Sequence, residues 1–382
     1  MKLLSRAAAV CTGLMLSIGG AIAMAAPAAA AYANESHVEW TPPGPVHAIV
    51  TSGTQTYLGG ANAGDTGGFI AAVNSSTGAH IWTKNTDGDV RALAMSTDGS
   101  KLLAGGAFVN IEGATHRRLA SLDAVSGMAD PVTGTDGWKG SAGGTVRDLV
   151  VDGNNLYVGG TFGSINGNGQ RGLGKLFVDD GRLVAGFSAF TDAPVYGLAK
   201  HGSTLVAAGK FTTVNNQARA SLASVDLVTG ALSPWAPARM CTNCATYWDI
   251  TVSGNTVFVA SSGPGGQVGA YDLATGAPQW RYVHTDGDVQ AVTVSDGLLY
   301  IGGHFNQYVG SNTLANERHQ LAALNPATGA LDPGFAPRMH NSYPGVWALA
   351  ATASRLYVGG HFGGVGSPTS NREPYFAMFG AI

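Results

Sequence analysis

Two short motifs could bind a nucleotide or support redox or metal chemistry. Residues 167–172 read Gly-Asn-Gly-Gln-Arg-Gly and match the G-x-G-x-x-G spacing, and Cys241 and Cys244 form a C-x-x-C pair. A dinucleotide-binding turn must open a helix whose N-terminus binds the pyrophosphate. A strand pattern follows Gly172 instead, so we reject the nucleotide interpretation. The chain contains no G-x-S-x-G nucleophile elbow and no H-E-x-x-H zinc motif.

Aspartate-rich turns and a histidine pair could hold a cation. Residues 86–90 and 285–289 both read Thr-Asp-Gly-Asp-Val. Paired carboxylates beside a glycine can ligate Ca²⁺, but Asp-Gly is also an ordinary tight turn. His304 and His361 occupy the same slot in successive repeats, and two further ligands are not evident. We therefore predict no cofactor, with Ca²⁺ as the alternative.

The first 33 residues predict a secretory signal peptide. A positively charged start precedes an apolar run without charge, and small-x-small cleavage patterns end at Ala25 and Ala33. No later apolar stretch is long enough to span a bilayer. We expect residues 34–382 to be secreted, and an N-terminal membrane anchor is the alternative.

Secretion changes the interpretation of the C-x-x-C pair. A structural zinc site would need a second pair, and a thioredoxin-type site would need a surrounding βαβ unit. The sequence shows neither, so we expect Cys241 and Cys244 to form a local disulfide.

The elements that must position these residues recur seven times along the chain. Each unit has an apolar strand, a second strand usually ending in Gly-Gly, a loop, a third strand and a Thr-Gly turn. The second strands are residues 56–60, 102–106, 156–160, 205–209, 257–261, 299–303 and 356–360. Seven strand-rich units of roughly 50 residues match the four-stranded blades of a propeller. We predict an all-β fold, a seven-bladed β-propeller in which residues 34–382 form one domain.

The composition agrees with this fold and excludes other classes. The chain has 382 residues, 56 of them Gly, and only 12% are charged. A disordered chain needs more charge, a coiled coil needs Ala, Glu, Lys, Leu and Arg at helical period, and collagen needs Gly at every third position. The net charge of −3 argues against a nucleic-acid partner.

The two ends of the chain predict how the ring closes. The last repeat stops at Ile382 without a fourth strand, and residues 38–42 (Val-Glu-Trp-Thr-Pro) precede the first repeat. We predict that this N-terminal segment supplies the missing strand, which would remove an open sheet edge.

Near the start of the first strand of each repeat, one position differs between repeats while the positions beside it are similar. These residues are His47, Arg91, Arg147, Tyr196, Trp248, Gln290 and Trp347. The preceding loops add Trp138 and Tyr343. In a propeller such positions surround one end of the central channel, and aromatic platforms beside hydrogen-bonding groups suit a sugar ring or a protein loop. We predict a ligand site there, and the alternative is that these side chains only plug the channel mouth.

Five repeats share a longer signature, in which Gly-Gly-x-Phe precedes a loop with Asn or Gly, an Arg, and Leu-Ala with Asp or Asn. Residues 159–171 and 302–325 are examples. This signature resembles the delta-60 repeat propellers of secreted bacterial proteins. The repeats near residues 70–84 and 270–282 look instead like those of quinoprotein-type propellers. The resemblance covers residues 46–379 and implies a fold, while propellers host many activities.

Three functions remain open at this stage. We favour a secreted non-catalytic binding module, lectin-like or a protein adaptor, that recognises a glycan, a cell-wall polymer or a partner protein, alone or in a secreted assembly. An extracellular lyase or hydrolase would use Asp89, Asp288, His47 or His284 as acid and base at the channel mouth. A quinoprotein dehydrogenase is disfavoured, because only two repeats carry the quinoprotein-type phrase.

Overall fold

The computed structural model describes ten stretches of the chain. They are residues 32–64, 66–134, 137–240, 246–263, 265–283, 286–307, 309–310, 314–340, 344–366 and 373–381. The regular elements within these stretches are β-strands and one short 3-10 helix, Leu314–Asn316. The predicted all-β class is therefore confirmed. Across these stretches no helix has the length and apolar character needed to cross a membrane.

The strands form antiparallel sheets, which we number as blades 1–7 along the chain. Blade 1 contains Val46–Ser52, Gln55–Ala61, Gly68–Asn74 and His80–Thr86. Blade 2 contains Val90–Met95, Lys101–Gly106 and Leu119–Asp123, and blade 3 contains Thr145–Asp152, Asn155–Thr161 and Leu173–Phe177. Blade 4 contains Val195–His201, Thr204–Gly209 and Leu222–Asp226, and blade 5 contains Tyr247–Ser253, Thr256–Ser261, Gln267–Asp272 and Pro278–Val283. Blade 6 contains Val289–Ser295, Leu298–Gly303 and Leu321–Leu324, and blade 7 contains Gly345–Thr352, Arg355–His361, Phe376–Ala381 and Tyr32–Ser36.

Three antiparallel pairs of short strands, the first two of them hairpins, complete the described strands. They are Asn110–Ile111 with Ala114–Thr115, Thr213–Val214 with Gln217–Ala218, and Met339–His340 with Gly364–Val365. The first of these hairpins extends the outer edge of blade 1, where Ile111 pairs with Thr86.

The blades are arranged in a ring. The first strand of each blade contacts the first strand of the next, and the first strand of blade 7 contacts that of blade 1. A hydrophobic cluster fills each boundary between neighbouring blades. Between blades 1 and 2, for example, Tyr57 packs with Val90 and Phe108. This radial arrangement is a β-propeller, as predicted.

The Gly-Gly doublet lets neighbouring blades approach closely. A Cβ atom built on Gly59 of blade 1 would lie 2.6 Å from Cγ1 of Val90 in blade 2, and one on Gly359 would lie 2.5 Å from Cγ1 of Val46. Cβ atoms do not tolerate such distances, so glycine makes room for the valine of the next blade. The second glycine of the doublet faces backbone, because a Cβ on Gly60 would collide with the carbonyl oxygen of Pro45.

The outer edge of the ring is irregular in four blades. Blades 2, 3, 4 and 6 have a single bridge pair at the fourth-strand position, where we predicted a strand. The segment beyond each bridge buries an aromatic side chain: Trp138, Phe187, Trp235 or Phe335. Three of the segments contain a proline, which lacks the N–H group that a regular strand would use. These prolines are Pro131, Pro234 and Pro333.

The N-terminal segment closes the ring, but with a different strand from the one predicted. Tyr32–Ser36 pairs antiparallel with Phe376–Ala381 and completes blade 7. Residues 38–42 follow outside the sheet, and Pro42 cannot donate to a strand partner. The prediction placed the strand too late because Tyr32 and Ala33 were assigned to the signal peptide.

Tyr32 makes contacts with both blade 6 and blade 7. Its side chain is fully buried, and its ring centroid lies 5.2 Å from that of Tyr300 in blade 6. Its hydroxyl donates to the carbonyl oxygen of Thr352 (2.6 Å) and lies 2.8 Å from Oγ of Ser295. A mature chain that began at residue 34 would lack this side chain.

We predict that Gly59→Ala destabilises the protein by about 1–3 kcal/mol, because the added methyl group must displace Val90 across the blade boundary. Urea denaturation measures the free energy of unfolding. Gly169→Ala is the matched control, because nothing lies within 4 Å of a Cβ at that site. Equal stability of Gly59→Ala and Gly169→Ala would show that the doublet does not set the spacing.

We predict that a chain beginning at His37 is less stable by about 3–5 kcal/mol than one beginning at Tyr32, because it loses a buried aromatic side chain. It should also associate through the exposed edge of Phe376–Ala381. Thermal unfolding and size-exclusion chromatography of the two chains measure these effects. Identical melting temperatures would contradict closure by Tyr32–Ser36.

Candidate functional site

A β-bulge interrupts the first strand of every blade at the same point. In blade 1 the pairing skips one residue between Val46 and Ala48, and the other six blades repeat this shift. The residues left out of the pairing are His47, Arg91, Arg147, Tyr196, Trp248, Gln290 and Trp347. These are the seven variable residues of the first strands. A bulge redirects a side chain that the regular pleat would point elsewhere.

The seven bulged side chains meet at one cavity of about 180 Å³ at one end of the central channel. The next residue in each strand also lines it in five blades, and these residues are Ala48, Ala92, Asp148, Asp249 and Ala348. The structure therefore brings together seven of the nine residues proposed for ligand binding.

Trp138 lies elsewhere. It is buried in the cluster between blades 2 and 3, and its indole Nε1 donates to the carbonyl oxygen of Val178 (2.9 Å). It occupies the slot that Phe335 fills in blade 6, and both residues follow an Asp-Pro pair and a glycine. That shared pattern was the signal for a core residue, so Trp138 leaves the candidate site.

Four predicted residues cannot be placed. Tyr343 lies outside the described residues, and so do Cys241, Cys244 and His284. The local disulfide remains a prediction.

Aromatic rings form one wall of the cavity. The ring centroids of Tyr196 and Trp248 are 5.1 Å apart, and those of Trp248 and Trp347 are 6.0 Å apart with perpendicular planes. His47 extends this wall: its ring centroid lies 6.2 Å from that of Trp347, and the two rings meet edge to face. Such tilted and perpendicular contacts are favourable and hold the rings in fixed orientations.

Cationic groups form the opposite part of the wall, on blades 2 and 3. Arg91 makes an ion pair with Asp89. The Arg147 guanidinium lies over the Tyr196 ring, 5.5 Å from its centroid. In the stretches that the structure describes, no carboxylate is within ion-pair distance of Arg147, and its buried Nε has no hydrogen-bond partner. Burial, together with the charge of Arg91, lowers the pKa of Arg147.

His47 and Gln290 supply neutral polar groups. Burial, reinforced by the charge of Arg91, lowers the pKa of His47 to about 4, so its ring is neutral at pH 7. Its buried Nδ1 has no hydrogen-bond partner among the described residues. With its amide oriented to suit the neighbouring carbonyl groups, the Gln290 nitrogen donates to the carbonyl oxygen of Pro344 (2.8 Å).

Two carboxylates in the channel escaped the sequence analysis. Asp148 accepts the N–H groups of Leu149 (2.7 Å) and of Leu198 in blade 4 (2.6 Å). Asp249 does the same in blade 5, and its second donor is Val292 of blade 6 (2.8 Å). Each aspartate thus joins two neighbouring first strands. An acidic residue where the other repeats have Ala or Gly was the available signal.

Burial raises the pKa of both carboxyl groups. The pKa of Asp148 rises to about 8, with a further contribution from the charge of Asp249, and that of Asp249 rises to about 6. At pH 7 Asp148 is therefore mostly protonated and Asp249 mostly ionised.

The aspartate-rich turns make structural hydrogen bonds. Asp87 Oδ1 accepts the N–H groups of Val109 (2.7 Å) and Asn110 (2.8 Å), and Asp286 accepts that of Asn306 (3.0 Å). His304 accepts the N–H of Asp288 through Nε2 (3.2 Å). Within the described ranges, no group of three or more His, Cys, Asp or Glu residues could hold a metal ion.

Comparison with known proteins supports the fold. A family model named PQQ_2, described as outer membrane protein assembly factor BamB, matches residues 199–360. This match supports the quinoprotein-type part of the resemblance, and the delta-60 part remains a prediction. No curated protein matches the chain.

Solved structures show the same architecture at low identity. The WD40 β-propeller domain of Doa1 is 10% identical with a TM-score of 0.57, over 91% of this chain and 97% of that one. The computationally designed Ika8 protein is 14% identical with a TM-score of 0.54, over 91% of this chain and 98% of that one. At such identities the likeness shows the fold alone, which is a β-propeller.

Proposed function

We propose that the protein is a secreted, non-catalytic binding module that holds a sugar residue of a glycan at the mouth of its central channel. The observation that carries this proposal is the set of seven bulges, which directs seven side chains of five types into one cavity. A site made only to plug the channel would need apolar bulk, whereas His47 and Arg147 leave buried polar atoms without partners among the described residues.

The dimensions and chemistry of the cavity favour a sugar ring. A volume of about 180 Å³ is smaller than the pockets of drug-sized ligands, which start near 300 Å³. The indole ring of Trp248 or of Trp347 can stack on the C–H face of a pyranose, and His47 can hydrogen-bond its hydroxyl groups.

The carboxylates in the channel already have hydrogen-bond or ion-pair partners within the protein, and this favours binding over catalysis. Asp148 and Asp249 each accept two backbone N–H groups, and Asp89 is paired with Arg91. Carboxylates with such partners stabilise the contacts between neighbouring strands. The raised pKa values of Asp148 and Asp249 would also suit an acid–base pair, so hydrolysis or elimination is tested alongside binding.

A second candidate function is the docking of a protein partner. The observation that favours it is the match of residues 199–360 to a model described as an outer membrane protein assembly factor. That description concerns an envelope assembly, which is compatible with an exported adaptor.

We predict that Trp248→Ala combined with Trp347→Ala weakens glycan binding by more than about tenfold, because tryptophans that a ligand covers dominate the energetics of binding sites. A glycan array, followed by calorimetry on the strongest hits, measures the loss. The melting temperature should stay close to that of the wild type.

Trp40→Ala is the control, because Trp40 packs against His80 outside the cavity. It should bind glycans like the wild type. Unchanged binding by the double variant would exclude the cavity as the site, and turnover of a bound polysaccharide would favour the enzyme.

We also predict that signal peptidase cuts after Ala25 and not after Ala33, because the second cut would remove Tyr32 from the closing strand. N-terminal sequencing of the protein from culture medium identifies the cut. A mature chain beginning at Asn34 would contradict this prediction.

A further inference from the structure

We infer that the bound sugar carries a carboxylate, as a uronic acid does, and that Arg147 binds this group. This inference rests on the proposed function, because it names the ligand class of the same cavity. Blades 2 and 3 carry two cationic side chains at the cavity, Arg91 and Arg147. The nearby carboxylate that can balance their charge is that of Asp89.

Arg147 is the cation that lacks an acidic partner. Asp89 is engaged by Arg91, and among the described residues no second carboxylate reaches the Arg147 guanidinium. Holding a guanidinium in a partly buried site without a counter-charge is unfavourable. A ligand carboxylate would supply that charge, and its two oxygens match the planar fork of guanidinium donors.

The other acids of the cavity do not take this role. Both oxygens of Asp148 and of Asp249 accept backbone N–H groups. Asp148 is mostly neutral at pH 7, and Asp249 lies two blades away from Arg147. The cavity therefore keeps a cationic part on blades 2 and 3.

The aromatic wall fixes how such a ligand would lie. Trp248 and Trp347 stand on blades 5 and 7, and Tyr196 on blade 4 joins this wall to Arg147 through the cation–π contact. A pyranose stacked on one of these indoles can direct an equatorial carboxylate toward the guanidinium. A neutral sugar would stack equally well but would leave Arg147 without a partner.

The test compares oligosaccharides that differ in this one group. The probes are uronate-containing oligosaccharides and their carboxyl-reduced, neutral counterparts, titrated calorimetrically into the mature protein. We expect the wild type to bind the acidic member of a pair at least about tenfold more tightly, with a preference that declines as salt increases. Arg147→Gln should remove this preference, measured as the ratio of the two dissociation constants.

Two further variants serve as controls for charge and for position. Arg147→Lys keeps the charge but loses the fork, so it should retain part of the preference. Arg182→Gln removes an exposed arginine outside the cavity and should behave like the wild type. Equal binding of both members by the wild type, or an unchanged preference in folded Arg147→Gln, would overturn this inference and leave the proposed function standing. Binding of neither member of any pair would overturn both.

Discussion

The packing of a valine against a glycine across five of the seven blade boundaries determines how closely those blades approach. Gly59 receives Val90, and Gly359 receives Val46 where the ring returns to blade 1. Blade 4 has Ala208 in place of the first glycine, and the residue that meets it from blade 5 is Tyr247. Blade 5 has Ala260 at this position, and it shares a cluster with Val289 of blade 6. Because these contacts lie on the first and second strands, they also set the width of the central channel.

The bulges use this fixed spacing to build a site without disturbing the packing. The residue before each bulge, a valine in six blades and Tyr247 in blade 5, must fit the neighbouring blade. The residue after the bulge pairs again with the second strand. The bulged residue itself has no cross-strand partner, so its type is free to vary. One face of the ring can therefore carry arginine in blades 2 and 3 and tryptophan in blades 5 and 7 while the core stays the same.

Much of this arrangement could be predicted from the sequence, because repetition exposes both the constant and the variable positions. Aligned repeats identified the fold and the seven residues that line the cavity. Trp138 was assigned to the site because it was not compared with Phe335, the core residue at the same place in blade 6. Tyr32 was assigned to the signal peptide because the closing strand lies outside the repeated units. Asp148 and Asp249 were missed because their partners are N–H groups of other blades, and only the three-dimensional structure shows these pairings.

Closure by the first strand has a consequence for the order of folding. Ser36 accepts a hydrogen bond from the N–H of Met378, which lies 342 positions later in the chain. Contacts of such sequence separation form slowly, because the entropy of closing a very long loop must be lost before they are made. The segment that is synthesised first therefore pairs only after the segment that is synthesised last is present. The incomplete ring exposes two strand edges throughout that interval, when it is most vulnerable to proteases and to pairing with other chains.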